Sequence, residues 1–391
     1  MKQIISTEKI PIKLWLDDIE DGALGQAINL ANLPFVYKHI AIMPDAHFGY
    51  GMPIGGVMAT EDVIIPNAVG VDIGCGMCAM QTSLHDISID KLKEIMAGIR
   101  KAIPLGFKHH KHAQDKSRMP KTENGASLAE LPVVAREYQN ALTQLGTLGG
   151  GNHFIEIQKG SDGHVWIMVH SGSRNLGYKV ANFYNRLAID LNSRWGSKIP
   201  KNWQLAFLPL SSDSGKQYRQ EMQFCVDFAL ANRTLMMERI QDVFMAVSSP
   251  VTFSNFINIA HNYASMETHF SKNVIVHRKG ATRACEGELG IIPGSQGTPS
   301  YIVRGRGNPE SFTSCSHGAG RKMGRKEAQR TLDLDKEVSR LDKKGILHSI
   351  RHRGDLDEAA GAYKDVDKVV EEQIDLVEVV VSLRPLAVVK G

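Results

Sequence analysis

The sequence predicts a mixed α/β protein that forms one large domain over residues 1–391. Short apolar segments typical of strands run repeatedly into glycine-rich polar loops. Segments whose apolar residues recur at helical spacing lie between them. We identify no internal repeat, no low-complexity tract and no linker, so the loops are expected to belong to one folded unit.

The helices are predicted from apolar spacing and from their end signals. Residues 89–103 give the clearest pattern, because Leu92, Ile95 and Ile99 fall on one helical face and Pro104 ends it. The other predicted helices cover 21–32, 133–145 and 216–247, with a charged helical surface layer over 324–355. Strands and their adjoining turns are predicted in 39–56, 69–78, 149–157, 165–169, 257–262, 274–280, 301–303 and 376–383. Within 69–78 the strand is expected to precede the polar turn.

Composition and charge restrict the function classes. The 391 residues carry a net charge of +4, which is compatible with a polyanionic partner. The five cysteines are odd in number and dispersed, so we expect free thiols in a reducing, cytoplasmic compartment. Residues 1–20 lack the apolar run of a secretory leader, and no segment is apolar enough to cross a membrane, so no membrane role is expected.

A candidate nucleophile lies in the glycine-rich segment 314–321. His317 stands directly before Gly-Ala-Gly, and Arg321 follows. Glycine N–H groups can approach an oxyanion closely, and the arginine fork suits phosphate. Arg321 and Arg325 therefore predict a phosphate beside His317, whose imidazole could attack phosphorus and form a phosphoramidate. The alternative is a glycine-rich turn with a structural histidine.

Five dispersed residues could form a metal site. Asp72 and Cys75 lie three apart across a glycine turn, while His153, His170 and His261 each lie at a strand end or loop. Thiolate, carboxylate and imidazole groups are ligands for divalent metals, and the thiolate favours zinc or cobalt over magnesium. The alternative for each histidine is a hydrogen-bonded structural role.

Other patterns carry weaker predictions. The histidines within 109–112 could bind a metal, but a solvated loop or one that faces an anion is favoured. Cys75-x-x-Cys78 could be a redox pair or half of a zinc site, although no second pair occurs. The glycine spacing at 74–79 matches a dinucleotide fingerprint only formally, because a poor helix start follows. Neither a P-loop nor the Lys-x-Asp-Gly signature of other nucleic-acid ligases is present.

Taken together, ordered motifs along the chain resemble the RtcB family of GTP- and manganese-dependent RNA ligases, from about Lys13 to Gly391. The motifs are Asp45-x-His47-x-Gly49, 70–76, 151–156, His170-Ser171-Gly172-Ser173-Arg174, His261-Asn262-Tyr263, Pro293-Gly294-Ser295, 316–321 and Val389-Lys390-Gly391. The resemblance implies a single α/β domain of the α+β type, with stacked, mostly antiparallel sheets and helices outside.

The resemblance also implies roles for individual residues. His317 is similar to the family's nucleophile, which takes GMP from GTP, and Asp45 to an aspartate needed for activity. Ligands for a pair of manganese ions, with Cys75 bridging, are implied at Asp72, Cys75, His153, His170 and His261. GTP contacts are implied at Asn152, Phe154, Glu156, Asn262, Pro293, Gly294, Ser295, Gln296, Ser300, Gly318, Ala319, Gly320, Tyr363 and Lys390. Phosphate contacts in RNA or GTP are implied at Arg174, Arg321 and Arg325.

The activity implied by the resemblance joins an RNA 3′-phosphate or 2′,3′-cyclic phosphate to a 5′-hydroxyl, in RNA repair or tRNA splicing. A histidine–GMP intermediate would activate the 3′ end. Some relatives need an activating protein such as an archease, and the sequence does not tell whether this chain needs one. Tyr50 and Gln296 replace a lysine and a methionine common in the family, which bears on substrate choice. The alternatives are a metal-dependent phosphoesterase that uses His317 as a base, and a catalytically silent RNA-binding protein.

Overall fold

A computed structural model of the chain describes residues 1–122, 125 and 127–391. Its first sheet has the strand order β1 (Gln3–Ile5), β2 (Ile12–Leu14), β3 (Val36–His47), β4 (Ile54–Thr60), β12 (Lys272–Lys279), β11 (Asn262–His269). Its second sheet has the order β10 (Phe253–Ala260), β6 (Gly76–Thr82), β8 (Val165–Ser171), β7 (Phe154–Gly160), β17 (Val377–Lys390), β15 (Ser300–Gly305), β14 (Leu289–Ile292). Short ladders pair β13 (Ala281–Arg283) with β16 (Ser314–Ser316), and β5 (Val63–Ile64) with β9 (Leu208–Pro209). Neighbouring strands are antiparallel except β2 and β3.

Helices cover the outer faces of the sheets. They are α1 (Asp21–Ala31), α2 (Pro66–Val69), α3 (Ile89–Ala102), α4 (Pro132–Gln144), α5 (Arg174–Arg194), α6 (Asp213–Ser248), α7 (Arg325–Thr331), α8 (Leu334–Lys343) and α9 (Val366–Glu371). Helix α6 packs with α3 over one face of the second sheet, and α1 packs against β3 on the first. Among the described residues, no helix is both long and apolar enough to span a membrane.

The two large sheets stack through a shared apolar core. Met43 and Val276 of the first sheet lie in the same buried cluster as Val303 and Val377 of the second. The strands that carry these residues bury apolar side chains between the sheets, and such burial stabilises the fold by roughly 25 cal/mol per Å² of apolar surface. The expectation of stacked, mostly antiparallel sheets flanked by helices is confirmed.

The glycine turn within 69–78 precedes its strand, so the predicted order of strand and turn is wrong there. The chain forms α2, then the turn, and then β6. Gly70 and Gly74 adopt φ angles of 96° and 75°, which a strand does not contain and which a glycine tolerates. The turn consequently opens towards the edge of the second sheet.

The last strand is longer than predicted. The sequence analysis ends it at residue 383, whereas β17 continues to Lys390. Pro385 cannot donate to the ladder, but a register shift between Pro385 and Ala387 absorbs it and pairing with β7 resumes.

The predicted helical layer over 324–355 is also more broken than expected. It divides into α7 and α8, because the Asp333 side chain accepts the N–H of Lys336 and starts a new helix.

Candidate active site

Neighbouring strands of the second sheet bring polar residues to one edge. His261 follows β10, Cys75 precedes β6, His170 lies near the end of β8, and His153 precedes β7. Lys390 ends β17, where it pairs with the first residue of β7. In an antiparallel sheet the start of one strand lies beside the end of the next, so these side chains share one edge although they are far apart in sequence.

A thiol, a carboxylate and imidazoles lie together at this edge. The Cys75 Sγ atom is 3.4 Å from Nε2 of His153 and 3.3 Å from Nε2 of His170. The carboxylate of Asp72 lies 3.2 Å from the same Nε2 of His153. One ligand atom each from Cys75, His153 and His170 lies within 4.8 Å of the others. The structure thus places four of the five sequence-predicted ligands in contact.

His261 extends this cluster towards His317. Its ring centroid lies 5.3 Å from that of His170 and 4.7 Å from that of His317. Its buried Nδ1 atom has no hydrogen-bond partner among the described residues. Because a buried nitrogen without a partner is costly, a ligand at Nδ1 would remove that cost.

The protonation states of the cluster suit a metal ion. Burial, followed by neighbouring imidazoles, holds the pKa of His170 and His261 well below the ordinary value, so both rings are neutral and have a free lone pair. Burial, and then the charge of Asp72, raises the pKa of the Cys75 thiol well above its usual range. A metal ion would have to displace the thiol proton, as ligation by cysteine requires. The donor set therefore fits a divalent cation.

A buried arginine fixes the loops behind the cluster. Arg233 of α6 is fully buried and donates to the carbonyl oxygens of Gly74 at 3.0 Å and Ser171 at 2.8 Å. Its Nε atom donates to the side chain of Asn258 at 2.7 Å. One guanidinium thus joins β8, β10 and the turn that carries Cys75, a function that the sequence analysis did not identify.

His317 is held by a buried aspartate. Its Nδ1 lies 2.6 Å from Oδ2 of Asp45, which also accepts the backbone N–H groups of His317 at 3.0 Å and Gly318 at 3.2 Å. Burial alone would raise the pKa of Asp45, but the charge and hydrogen bond of His317 outweigh it and lower that pKa. Because the carboxylate accepts from Nδ1, the neutral form of this ring would carry its proton on Nδ1 and its lone pair on Nε2.

The loop that carries His317 fits closely against β3. His317 follows β16, which lies beside β3, where Asp45 is located. Gly320 has a φ angle of 74°, and a Cβ atom at this position would lie 2.3 Å from the carbonyl oxygen of Asp45. Only glycine allows this approach, which explains one glycine of the motif in structural terms.

His317 lies in the wall of a large cavity. The cavity volume is about 870 Å³, a size that suits a nucleotide. Its lining includes sequence-predicted residues from the sheet edge and from the loop after β16: Asn152, Phe154, Glu156, His170, His261, Pro293, Gly294, Ser295, Gln296, His317, Gly318, Ala319, Gly320, Arg321, Arg325, Tyr363 and Lys390.

Glu156 and Lys390 form the polar part of the wall next to Phe154. Glu156 is buried, and burial raises its pKa to about 8, although a hydrogen bond from Gln158 and the charge of Lys390 oppose the rise. The Lys390 ammonium lies 6.0 Å from the centre of the Phe154 ring. Burial also lowers the pKa of Lys390. An aromatic face, an acid and an amine together suit a purine base.

Glu358 joins basic groups of the cavity wall, and the sequence analysis missed it. Its buried carboxylate lies 3.0 Å from Arg321, 3.4 Å from Arg325 and 3.8 Å from Lys390, and it accepts the hydroxyl of Tyr363. Glu358 lies just beyond the charged segment 324–355, and the sequence analysis assigned it no role.

Two sequence-predicted nucleotide contacts, Asn262 and Ser300, are not among the residues that line the cavity. Asn262 donates to the carbonyl oxygen of Asp72 at 3.1 Å, so it positions the turn that carries Asp72. The Ser300 hydroxyl is buried and accepts the N–H of Gly294 at 3.1 Å, which fixes the turn that contains Ser295.

Arg174 lies against the metal-site cluster. Its guanidinium donates to Nδ1 of His153 at 3.0 Å and lies over Gly149, where a Cβ atom would be 1.7 Å from Nη2. Two other sequence patterns have protein partners: the Cys78 thiol is buried against the carbonyl oxygen of Arg233, and His110 lies 2.7 Å from Arg239.

Comparison with known proteins identifies the family. The sequence model of the family described as "tRNA-splicing ligase RtcB" matches residues 26–391. The chain is 39% identical to the RNA-splicing ligase RtcB of Escherichia coli K12, over 100% of this chain and 99% of that protein. It is 33% identical to the tRNA-splicing ligase RtcB of Thermococcus kodakarensis, over 98% and 95% of the two chains, and 33% identical to the RNA-splicing ligase RtcB of Mycobacterium tuberculosis, over 94% and 100%. This chain, whose His317–Asp45 pair lies beside a cysteine–histidine cluster, therefore belongs to the RtcB family.

Proposed function

We propose that this protein is a GTP-dependent RNA ligase that joins 3′-phosphate or 2′,3′-cyclic phosphate ends to 5′-hydroxyl ends. The observation that carries the proposal is the imidazole of His317, which Asp45 holds through Nδ1 in the wall of a nucleotide-sized cavity. The names of the relatives, RNA-splicing and tRNA-splicing ligase, support a role in splicing, and we propose RNA repair as the other role of the same reaction. We further propose that residues 1–391 act as a single domain.

His317 would act as a nucleophile towards GTP. With the proton held on Nδ1 by Asp45, the lone pair on Nε2 attacks the α-phosphorus, a nitrogen–phosphorus bond forms, and pyrophosphate leaves. GMP then passes to the RNA 3′-phosphate and regenerates free His317. The 5′-hydroxyl of the second strand attacks the activated phosphorus and GMP leaves, which closes a phosphodiester bond.

We propose that Asp72, Cys75, His153, His170 and His261 hold manganese. When bound, the metal would neutralise charge on phosphate oxygens and polarise them. The residues of the chain keep the ligands in place: Asn262 and Arg233 fix the turns, and burial keeps the imidazoles neutral. The same residues would favour zinc because of the thiolate, so zinc is expected to compete.

The nucleotide would bind across the cavity. Glu156 can accept from N1–H and N2–H of guanine, which adenine lacks, and Phe154, Tyr363 and Lys390 lie in the same cavity. Arg321 and Arg325 supply positive charge for phosphates, and Arg174 reaches the metal cluster. We assign supporting roles to Asn152, Asn262, Pro293, Gly294, Ser295, Gln296, Ser300, Gly318, Ala319 and Gly320.

The test is a joining assay with defined RNA ends. We expect the protein with GTP and Mn²⁺ to join a 3′-phosphate strand to a 5′-hydroxyl strand, and to leave matched 3′-hydroxyl and 5′-phosphate strands unjoined. Loss of the terminal phosphate without joining, and without a need for GTP, would instead support the phosphoesterase alternative. Binding without either reaction would support a silent RNA-binding protein.

A further inference from the structure

We propose that Phe48 and Tyr50, here called the aromatic rim, form a stacking site for unpaired nucleobases beside the reacting RNA end. The proposal rests on the proposed ligase function, because it names a subsite for that RNA. It adds a contact with bases to the phosphate and nucleotide contacts described above.

Both side chains of the aromatic rim are large and mostly apolar, and both are exposed to solvent. Phe48 is 60% exposed and Tyr50 is 68% exposed, and both line the cavity that contains His317. Val71, 45% exposed, lies in the same lining. Apolar residues scattered singly need no explanation, but a group at the mouth of a reactive cavity indicates a binding surface.

The backbone that carries the rim is fixed. Between the two aromatic residues, the Gly49 N–H donates to the side chain of Gln26 at 3.0 Å, and its carbonyl oxygen accepts from the same side chain at 2.6 Å. The carbonyl oxygen of Tyr50 accepts from the ammonium of Lys279 at 2.5 Å. A rigid loop thus presents two rings to solvent, and a ligand would bind them with little loss of backbone entropy.

The Phe48 ring is also positioned by α1. A Cβ atom on Gly22 would lie 2.8 Å from Cδ2 of Phe48, so the ring packs closely on this glycine. The Phe48 N–H donates to the carboxylate of Glu20. One side of the ring is supported while most of it stays open, which is the arrangement a stacking platform needs.

Basic groups in the cavity lining, which also contains Glu20 and Glu327, favour single-stranded RNA. Lys322 and Arg325 are exposed and line the same cavity. A strand of RNA alternates phosphates with flat bases, and sites that bind it combine basic groups with aromatic faces. Because His317 opens into this cavity, the occupant of the rim has to leave room for the reacting end. That condition favours the substrate over a protein that would cover the cavity.

The experiment measures binding of a fluorescent, single-stranded 3′-phosphate RNA to the full chain by anisotropy. Phe48→Ala and Tyr50→Ala should each weaken binding by about tenfold, and Tyr50→Phe should bind like the wild type, since stacking needs only the ring. Phe256→Ala is the matched control, because Phe256 is 43% exposed but does not line the cavity. An RNA whose bases near the 3′ end are abasic should bind the wild type about as weakly as the variants do.

The outcomes separate this inference from the proposed function. Covalent labelling of each variant with GTP reports on folding and on the nucleotide step. If the wild type does not label, the ligase proposal fails. If the wild type labels but RNA affinity is the same for the wild type and both alanine variants, the stacking site is overturned and the ligase proposal stands. The same conclusion follows if abasic RNA binds the wild type as tightly as intact RNA does. A rim that affects only binding of an activating protein would likewise overturn it.

Discussion

At the scale of single residues, the proposed chemistry depends on the His317–Asp45 pair. Asp45→Asn keeps the side-chain shape but can present an N–H group to Nδ1, which favours the wrong tautomer. In the histidine–aspartate pair of a serine protease, an unrelated enzyme, the same change lowers the rate by roughly ten-thousandfold. We therefore expect the initial rate of GMP labelling to fall by about a hundredfold or more. Metal content, measured by elemental analysis, should stay unchanged. Labelling within about threefold of the wild type would contradict the orienting role of Asp45.

The two neighbouring cysteines give a matched pair for the metal site. Cys75→Ala should remove most bound Mn²⁺, because its Sγ atom lies beside both His153 and His170. Cys78→Ala should keep the metal, since that thiol is buried against the carbonyl oxygen of Arg233 in α6. Equilibrium dialysis followed by metal analysis compares the two. Equal loss from both would point to a Cys-x-x-Cys site instead.

Glu156 predicts how nucleoside binding depends on pH. Its pKa is raised to about 8 in the free protein, so below that pH a proton must leave before the carboxylate can accept from guanine. Guanosine affinity should therefore rise from pH 6 to about 8, by up to about tenfold per unit, and then level off. The guanosine affinity of Glu156→Gln should not rise with pH over this range, and neither should the adenosine affinity of the wild type. Calorimetry without metal measures this; a flat wild-type profile would exclude the proposed contact.

The site residues that the sequence analysis proposed differ in their surroundings from Glu358, which it did not propose. His317, Cys75 and Glu156 stand beside glycine turns or in a short strand, so their residue types draw attention. Glu358 does not draw attention in the sequence, because its partners Arg321 and Arg325 come from another segment of the chain.

At the scale of elements, the loop after β16 makes the sharpest prediction. Gly320→Ala would place a Cβ atom 2.3 Å from the Asp45 carbonyl oxygen at a φ angle of 74°. We expect the free energy of unfolding to fall by roughly 1–3 kcal/mol and labelling to slow, because the strain moves the loop. Gly25→Ala in α1 is the control: its Cβ would meet no atom within 4 Å, and a helical alanine should be neutral or stabilising by up to about 1 kcal/mol. Equal melting curves for both variants would contradict the account.

Elements with long periodic patterns were predictable, and short or interrupted ones were not. The helix at 89–103 is confirmed as α3, since apolar spacing and a proline define it. The continuation of β17 past Pro385 was missed, because a bulge in the ladder accommodates the proline and the sequence pattern does not show that bulge. That continuation is what brings Lys390 to the cavity.

At the scale of the whole molecule, the strand order assembles the site. The order β10, β6, β8, β7, β17 places ends of distant segments side by side. Spacing along the sequence cannot reveal that order, because the dispersed ligands have no fixed separation. The ordered motifs identified the family, and the stacked fold follows from that resemblance.

The most direct test of the account follows covalent GMP on this chain. Wild-type protein with α-labelled GTP and Mn²⁺ should carry an acid-labile, base-stable label, as a phosphoramidate does. His317→Ala should carry none, should keep its metal because His317 is outside the proposed ligand set, and should regain sealing with an RNA already activated by GMP at its 3′ end. Normal labelling of the variant, or failure to seal the activated RNA with fold and metal intact, would contradict the assignment of His317 as the nucleophile.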